Sequence, residues 1–288
     1  MKVLVLGANG QLGQSIKRVI NETNISDVYI FGGRDICDIR YNFDVRKAFD
    51  EYKPDIVINC AAYTNVDKAE TDFDEAFNAN VIGPKNLAEC CKSYGIHLIH
   101  ISTDYVFSDN MKFRTEESPT KPCNAYGATK EMGERAIQFY MKDNYTIIRT
   151  SWLYSEFGNN FITKILAKAK NGDVAVVEDE IGYPTYAVEM ARKIVKLIES
   201  RDYEHGEPIY HFTDGETVSR YQFASTACEL YGITNKVNKC KQSDFKTAAK
   251  RPQWAPLDKN IVYGGQKHWK ETLTECINEI KKKESVTD

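Results

Sequence analysis

Apolar residues along this chain follow two alternating rhythms. Short, near-continuous apolar runs rich in β-branched residues occur at 2–6, 28–31, 55–59, 97–101 and 145–148. Each is bounded by Gly, Asn, Asp or Pro, and runs without polar alternation read as parallel strands covered on both faces. The intervening stretches 11–20, 45–52, 73–94 and 125–141 carry apolar residues at helical spacing. This βαβ series predicts an α/β fold built on a doubly wound parallel (Rossmann) sheet. Beyond about residue 150 the rhythm loosens into a helix at 161–170, a short strand at 174–177, a helix at 187–200 and a strand at 208–212. The pattern predicts an NAD(P)-binding Rossmann domain over 1–150, to which the chain returns around 186–215. Residues 151–288 then form mainly a smaller C-terminal substrate-binding lobe, and the charged end at 281–288 is expected to fray.

With 288 residues, 42% of them hydrophobic, the chain can bury a large core. Its net charge of −3 comes from well-mixed acids and bases, which leaves no basic footprint for nucleic acid or an anionic membrane. A small-molecule partner is favoured. Met1 and Lys2 lead directly into an apolar run that Gly7 cuts short, and no run approaches the roughly 18 to 20 apolar residues a membrane span needs. A soluble, cytoplasmic protein is expected. The eight cysteines include no C-x-x-C spacing, as expected of reduced thiols rather than a disulfide or zinc framework. His97 and His100 would point to opposite faces of one strand, so they read as packing residues, and no metal site is predicted.

Candidate chemistry begins at Gly7-x-x-Gly10-x-x-Gly13, which follows a predicted strand and opens a predicted helix. The glycines suit a tight turn, a close backbone approach to a pyrophosphate and close helix packing, while Gln11 and Leu12 start the helix whose N–H groups would meet the phosphates. The second strand runs into Gly32, Gly33, Arg34 and Asp35. Because Arg34 precedes any carboxylate there, NADPH is the predicted coenzyme with NADH tolerated, and Asp38 and Ile39 would flank the adenine. After the third strand, Ala61, Ala62, Tyr63 and Thr64 would leave room for a ribose and nicotinamide.

The second cluster is Ser102-Thr103-Asp104 together with Tyr126 and Lys130. Spacing of i, i+4 puts Tyr126 and Lys130 on one helix face. A phenol keeps its proton at neutral pH, and a nearby ammonium is expected to lower its pKa towards the working range, so Tyr126 reads as a proton donor tuned by Lys130. Lys130 would also hold ribose hydroxyls, placing Ile101, Tyr126 and Lys130 on the cofactor side as well. Thr103 ends the fourth strand and could donate to the same substrate oxygen.

These residues resemble the extended short-chain dehydrogenase/reductase family, and within it the nucleotide-sugar 4-ketoreductases. The resemblance rests on Asn59-Cys60-Ala61-Ala62-Tyr63-Thr64-Asn65-Val66-Asp67-Lys68-Ala69-Glu70, on Ser102-Thr103-Asp104-Tyr105-Val106-Phe107, and on Arg149-Thr150-Ser151-Trp152-Leu153-Tyr154. Gly158-Asn159-Asn160-Phe161 and Gly182-Tyr183-Pro184-Thr185 extend it. It implies reduction of a dTDP-sugar, dTDP-4-dehydro-6-deoxy-L-mannose, at C4 to dTDP-L-rhamnose. Carried over motif by motif, it implies Tyr126 as proton donor, Lys130 as tuner and ribose anchor, and Thr103 as hydrogen-bonder. Thr103, Asp104, Tyr126, Trp152, Asn160 and Arg251 would meet the sugar nucleotide. The segment Arg251-Pro252-Gln253-Trp254-Ala255 departs from the family pattern, with Ala255 where a serine is usual. A sister reductase making another 6-deoxyhexose and a non-catalytic regulatory subunit are the competing readings. A homodimer is left open.

Overall fold

The computed structural model describes residues 1–108, 114–257 and 266–287. The first half alternates β1 (Lys2–Leu6), α1 (Gln11–Glu22), β2 (Val28–Gly32), α2 (Asn42–Tyr52) and β3 (Ile56–Asn59). It continues through α3 (Phe73–Phe77), α4 (Gly83–Tyr94), β4 (His97–Thr103), α5 (Ala125–Met141) and β5 (Tyr145–Thr150). The second half contains β6 (Leu153–Tyr154), α6 (Phe161–Ala169), β7 (Val174–Val177), β8 (Ile181–Gly182), β9 (Thr185–Tyr186) and α7 (Ala187–Glu199). It ends with β10 (Ile209–His211), β11 (Val218–Ser219), α8 (Arg220–Tyr231), β12 (Val237–Cys240) and α9 (Trp269–Thr287).

Six strands form the central sheet in the order β10-β5-β4-β3-β1-β2, all parallel. Because strand side chains alternate, Val3, Val5, Ile56, Ile58 and Ile99 enter one core while Leu4, Leu6, Val57 and Leu98 enter the other. Both faces are therefore covered, as the near-continuous apolar runs require. Strand order reverses between β1 and β3, and a ligand crevice belongs at the carboxyl ends of the strands there. Late in the chain, β10 pairs with β5, and α7 packs against α1.

Two local expectations change. The helical stretch predicted at 73–94 is interrupted by a π-helical turn at Asn78–Ile82, just before Pro84, whose missing N–H cannot continue the ladder. The π turn aims Asn80 at the strand-end loop, where its amide donates to the Tyr63 carbonyl at 3.0 Å and accepts from the Tyr63 N–H at 2.9 Å. The C-terminal end is also more ordered than expected, because α9 runs to Thr287. Lys281 Nζ donates to the Leu230 carbonyl at 2.9 Å and Lys170 pairs with Glu284 at 2.8 Å, which ties that end to α6 and α8. Asp288 lies outside the described residues.

Beyond β5 the smaller strands form only two-stranded pairs: β6 with β9, β7 with β12, and β8 with β11. They stand over the carboxyl ends of β1, β3 and β4 and supply the far wall of a cleft of about 1050 Å³. Among the described residues no helix is long and apolar enough to cross a membrane.

Candidate active site

The near wall begins with the glycine turn. Gly7 has φ +75°, and a Cβ there would sit 2.5 Å from the Ala61 nitrogen, so only glycine lets β1 and the β3 loop come this close. A Cβ on Gly13 would lie 2.5 Å from the Ala8 Cα, which accounts for its packing role. Gly10 caps α1 without any side-chain hydrogen bond, and Gly10, Gln11 and Leu12 line the open cleft at this helix start. An uncapped helix start behind a bare backbone suits a pyrophosphate, so this chain fits a dinucleotide on its own geometry.

The adenosine side opens beside it as a pocket of about 440 Å³ that includes Arg34, Asp38, Ile39 and Arg40. Asp38 is committed to Arg40, which grips both carboxylate oxygens at 2.6 to 3.1 Å. That pairing holds the Asp38 carboxyl below its usual range. Its carboxylate therefore buttresses the pocket wall. Ile39 is buried against Gly83, where a Cβ would meet its side chain at 2.5 Å. Arg34 is exposed at the rim and makes no side-chain hydrogen bond among the described residues, the disposition a 2′-phosphate needs. Arg40 was not among the sequence candidates, because its role comes from the Asp38 pair.

Ala61 and Ala62 continue the wall and Thr64 lines the larger cleft, whereas Tyr63, expected from the sequence beside the ribose and nicotinamide, lines neither cavity and is held through its backbone by Asn80. Asn59 Oδ1 accepts from the Ala61 N–H at 3.1 Å, and Asn80 clamps the Tyr63 backbone and the Thr129 hydroxyl, so this loop is held as a unit.

Tyr126 is brought to the cleft by a local device. Asn124 caps α5 by accepting from the Gly127 N–H at 2.7 Å. A Cβ on Gly127 would lie 2.1 Å from the Tyr105 carbonyl oxygen, so glycine lets the helix start sit directly on the Asp104–Val106 turn. The Tyr126 ring stands edge-on to Tyr105 with centroids 5.6 Å apart. Tyr126, Thr103, Asp104, Lys130 and Ile101 then share one cleft with Gly10, Gln11 and Leu12.

The electrostatics correct one expectation. Burial pushes the Tyr126 phenol up to about 12, the Thr103 hydroxyl works against this, and the Asp104 charge adds to it. Lys130 does not lower it: the Nζ donates to the Ile101 carbonyl at 2.7 Å and meets His100 Nε2 at 3.2 Å. Burial brings Lys130 itself down to about 8, with Glu134 and Cys60 opposing. Thr103 also differs, because its hydroxyl donates to Asp104 Oδ1 at 3.0 Å rather than being free for a substrate oxygen. Asp104 is buried, and that burial raises its carboxyl to about 7. Its Oδ2 has no hydrogen-bond partner.

On the far wall, Trp152 has φ +44° and lies under the Arg220 guanidinium, 3.7 Å from the ring centroid. Arg220 also lies 4.9 Å from the Phe161 ring centroid. Its Nε faces Glu180 Oε2 at 3.5 Å. Gly182 backs the indole so closely that a Cβ there would meet it at 2.7 Å. One face of Trp152 is thus covered by Arg220, a residue that no local motif marks. Sequence spacing could not reveal it, since the partners come from positions 152, 161, 180 and 220.

Asn160 and Arg251 both line the cleft but are already engaged. Asn160 caps α6: its Oδ1 accepts from the Ile162 and Thr163 N–H groups, and its Nδ2 donates to the Ser155 and Phe157 carbonyls. Its amide is thus engaged in shaping the wall, and Asn160 lines the cleft where the sequence places it. Arg251 forks onto Asp67, with Nη1 to Oδ1 at 3.0 Å, and so ties the late loop to the β3 loop. Next to it, backbone bonds hold the segment around Ala255 without a hydroxyl: Ala255 N–H to the Ile181 carbonyl at 3.0 Å and Ile181 N–H to the Gln253 carbonyl at 2.7 Å.

A family model described as the RmlD substrate binding domain matches residues 1–282. A dTDP-4-dehydrorhamnose reductase of Aggregatibacter actinomycetemcomitans is 35% identical over 269 residues, 89% of this chain and 90% of that protein. The crystal structure of a dTDP-4-dehydrorhamnose reductase from Clostridium acetobutylicum is similar with a TM-score of 0.91 at 38% identity, over 98% of this chain and 100% of that one. Another from Bacillus anthracis, in complex with NADP, gives a TM-score of 0.90 at 32% identity, over 96% and 99% of the two chains.

Proposed function

Since the chain belongs to the RmlD substrate binding domain family, we propose that it reduces the C4 carbonyl of dTDP-4-dehydro-6-deoxy-L-mannose to give dTDP-L-rhamnose, with NADPH as reductant and Tyr126 as proton donor. The observation that carries this reading is the convergence of Thr103, Tyr126 and Lys130 on one cleft beside the uncapped start of α1. Gly10, Gln11, Leu12 and the Ala61–Ala62 backbone would hold the dinucleotide, with Arg34 meeting a 2′-phosphate. Bound there, a reduced nicotinamide supplies the hydride for the carbonyl carbon.

The chain's own residues manage the proton. With its phenol at about 12, Tyr126 keeps its hydrogen throughout the working range. Oxygen at the reduced carbon becomes an alkoxide, a stronger base than a phenolate, so transfer from Tyr126 runs downhill. Thr103 orients the same oxygen once Asp104 is protonated and no longer takes its hydrogen. Lys130, anchored on the Ile101 carbonyl, would meet ribose hydroxyls and, in its ammonium form, compensate the tyrosinate left behind. On the far wall Trp152 and Arg220 bound the sugar, and the chain acts as a cytoplasmic small-molecule enzyme.

The test is turnover of the 4-keto sugar with NADPH and with NADH, followed by NMR of the product. Rhamno product with a higher kcat/KM for NADPH is expected. No coenzyme oxidation would overturn the reading, and a product inverted at C4 would assign the sister 6-deoxyhexose reductase instead.

A further inference from the structure

Behind Lys130 lies a buried chain of hydrogen bonds in which the role of each polar atom fixes that of the next. Asn59 and His100 are fully buried and Lys130 nearly so. Asn59 Oδ1 accepts from the Ala61 N–H, so its Nδ2 faces His100 Nδ1 at 3.0 Å and donates to it. A neutral imidazole whose Nδ1 accepts carries its hydrogen on Nε2. That Nε2–H points at Lys130 Nζ, 3.2 Å away, and only an uncharged amine can accept it. The arrangement is thus the partner of a neutral lysine.

Charging Lys130 reverses every link. An ammonium has three donors and no acceptor, so His100 Nε2 must accept and the ring hydrogen must stand on Nδ1. Asn59 must then present its oxygen to the ring, which turns its Nδ2 towards the Ala61 N–H and strips that amide of its acceptor. One proton is gained at Lys130, while the imidazole keeps a single hydrogen. We propose that His100 and Asn59 are positioning residues that couple the charge of Lys130 to the backbone amide of Ala61, on the wall where the dinucleotide lies.

The groups facing this chain are few. Glu134, one turn along α5, favours the ammonium but is itself held by Arg149 of β5 at 2.7 Å. The Cys60 thiol is pushed up to about 12 by burial and stays neutral. Burial holds His100 well below its ordinary value, with the Lys130 charge adding to this, so the ring changes tautomer rather than charge. Lys130, brought down to about 8 by burial, changes form within reach of working pH.

The switch serves the reductase reading above, yet its test needs no turnover. Full-length protein labelled with ¹⁵N-histidine is titrated from about pH 6.5 to about pH 9.5 without substrate. His100 signals are assigned by their contacts with Asn59. Expected is a neutral ring throughout, with hydrogen on Nδ1 at the acid end and on Nε2 at the alkaline end. In Lys130→Met, Nε2–H should persist at every pH. NADPH affinity of the unaltered protein should fall as Lys130 loses its proton, and in His100→Gln, whose amide oxygen accepts from an ammonium without tautomer exchange, the pH of that fall should rise by about one unit, a tenfold change in proton activity. A wild-type ring that keeps one tautomer across the range, or that titrates to imidazolium, overturns the proposal whether or not the enzyme reduces the sugar.

Discussion

The two walls of the cleft recognise by different means. The wall proposed for the cofactor is shaped mainly by backbone: the Gly7 turn, the uncapped start of α1, and the Ala61–Tyr63 loop clamped by Asn59 and Asn80, with Arg34 and Lys130 as its side-chain donors. The wall on the substrate side is shaped by side chains gathered out of separate segments, with Arg220 over Trp152 and Phe161 and beside Glu180. Backbone recognition depends on what is absent, so adding one carbon spoils it. Side-chain recognition depends on what is present, and is lost by truncation.

The largest expected effect falls where the walls meet. Tyr126→Phe should lower kcat by about 10²- to 10⁴-fold with the NADPH Kd unchanged. An unchanged kcat in steady-state assay would remove Tyr126 from the mechanism. On the cofactor wall, Gly7→Ala puts a Cβ 2.5 Å from the Ala61 nitrogen at a positive φ. NADPH affinity measured by fluorescence should drop at least tenfold, about 1.4 kcal/mol, and wild-type binding by this variant would show that the close approach is dispensable. The matching change opposite is Arg220→Met, which removes the cation above Trp152. Loss of this stack, about 1 to 2 kcal/mol, should raise KM for the sugar nucleotide by about tenfold while leaving NADPH affinity alone. An equal effect on both ligands would erase the contrast between the walls.

Asp104→Asn sharpens the comparison through pH. Because burial raises the Asp104 carboxyl to about 7, it is protonated below that value and leaves the Thr103 hydroxyl hydrogen for substrate. As pH rises through about 7 the ionised carboxylate captures that hydrogen, as in the Thr103 to Asp104 bond of 3.0 Å. Wild-type kcat/KM should therefore decline through this window, and the asparagine variant should be flat there. A decline that survives the substitution would assign it to another group. The smallest effect is expected at Asn160→Ala, which removes the cap of α6: about 1 kcal/mol of stability by chemical denaturation, with KM nearly unchanged. A large KM increase at unchanged stability would mark Asn160 as a ligand contact.

Legibility divides along the same line. Glycine spacing exposed the tight turn between β1 and α1 because its requirements are met by consecutive residues, and the apolar runs exposed the sheet because each strand is buried on both faces. Tyr126 and Lys130 were legible as an i, i+4 pair, but the electrostatic relation between them was not. Helix spacing says which face they share; it says nothing of the carbonyl of Ile101 and the ring of His100 that hold the lysine. Asn160 and Asp38 were recognised as residues of the site, yet the amide and the carboxylate are spent on a helix cap and on Arg40.

Local chemistry repeated along the chain was enough to determine the sheet, its two buried faces, the glycine turn and the tyrosine at a helix start, since each depends on neighbours within a few residues. Tertiary structure alone decided which polar groups remain available. Desolvation and partner choice depend on atoms far apart in the chain: burial sets the protons of Tyr126, Lys130 and Asp104, and folding assembles the Arg220 stack and the Asn59–His100–Lys130 chain.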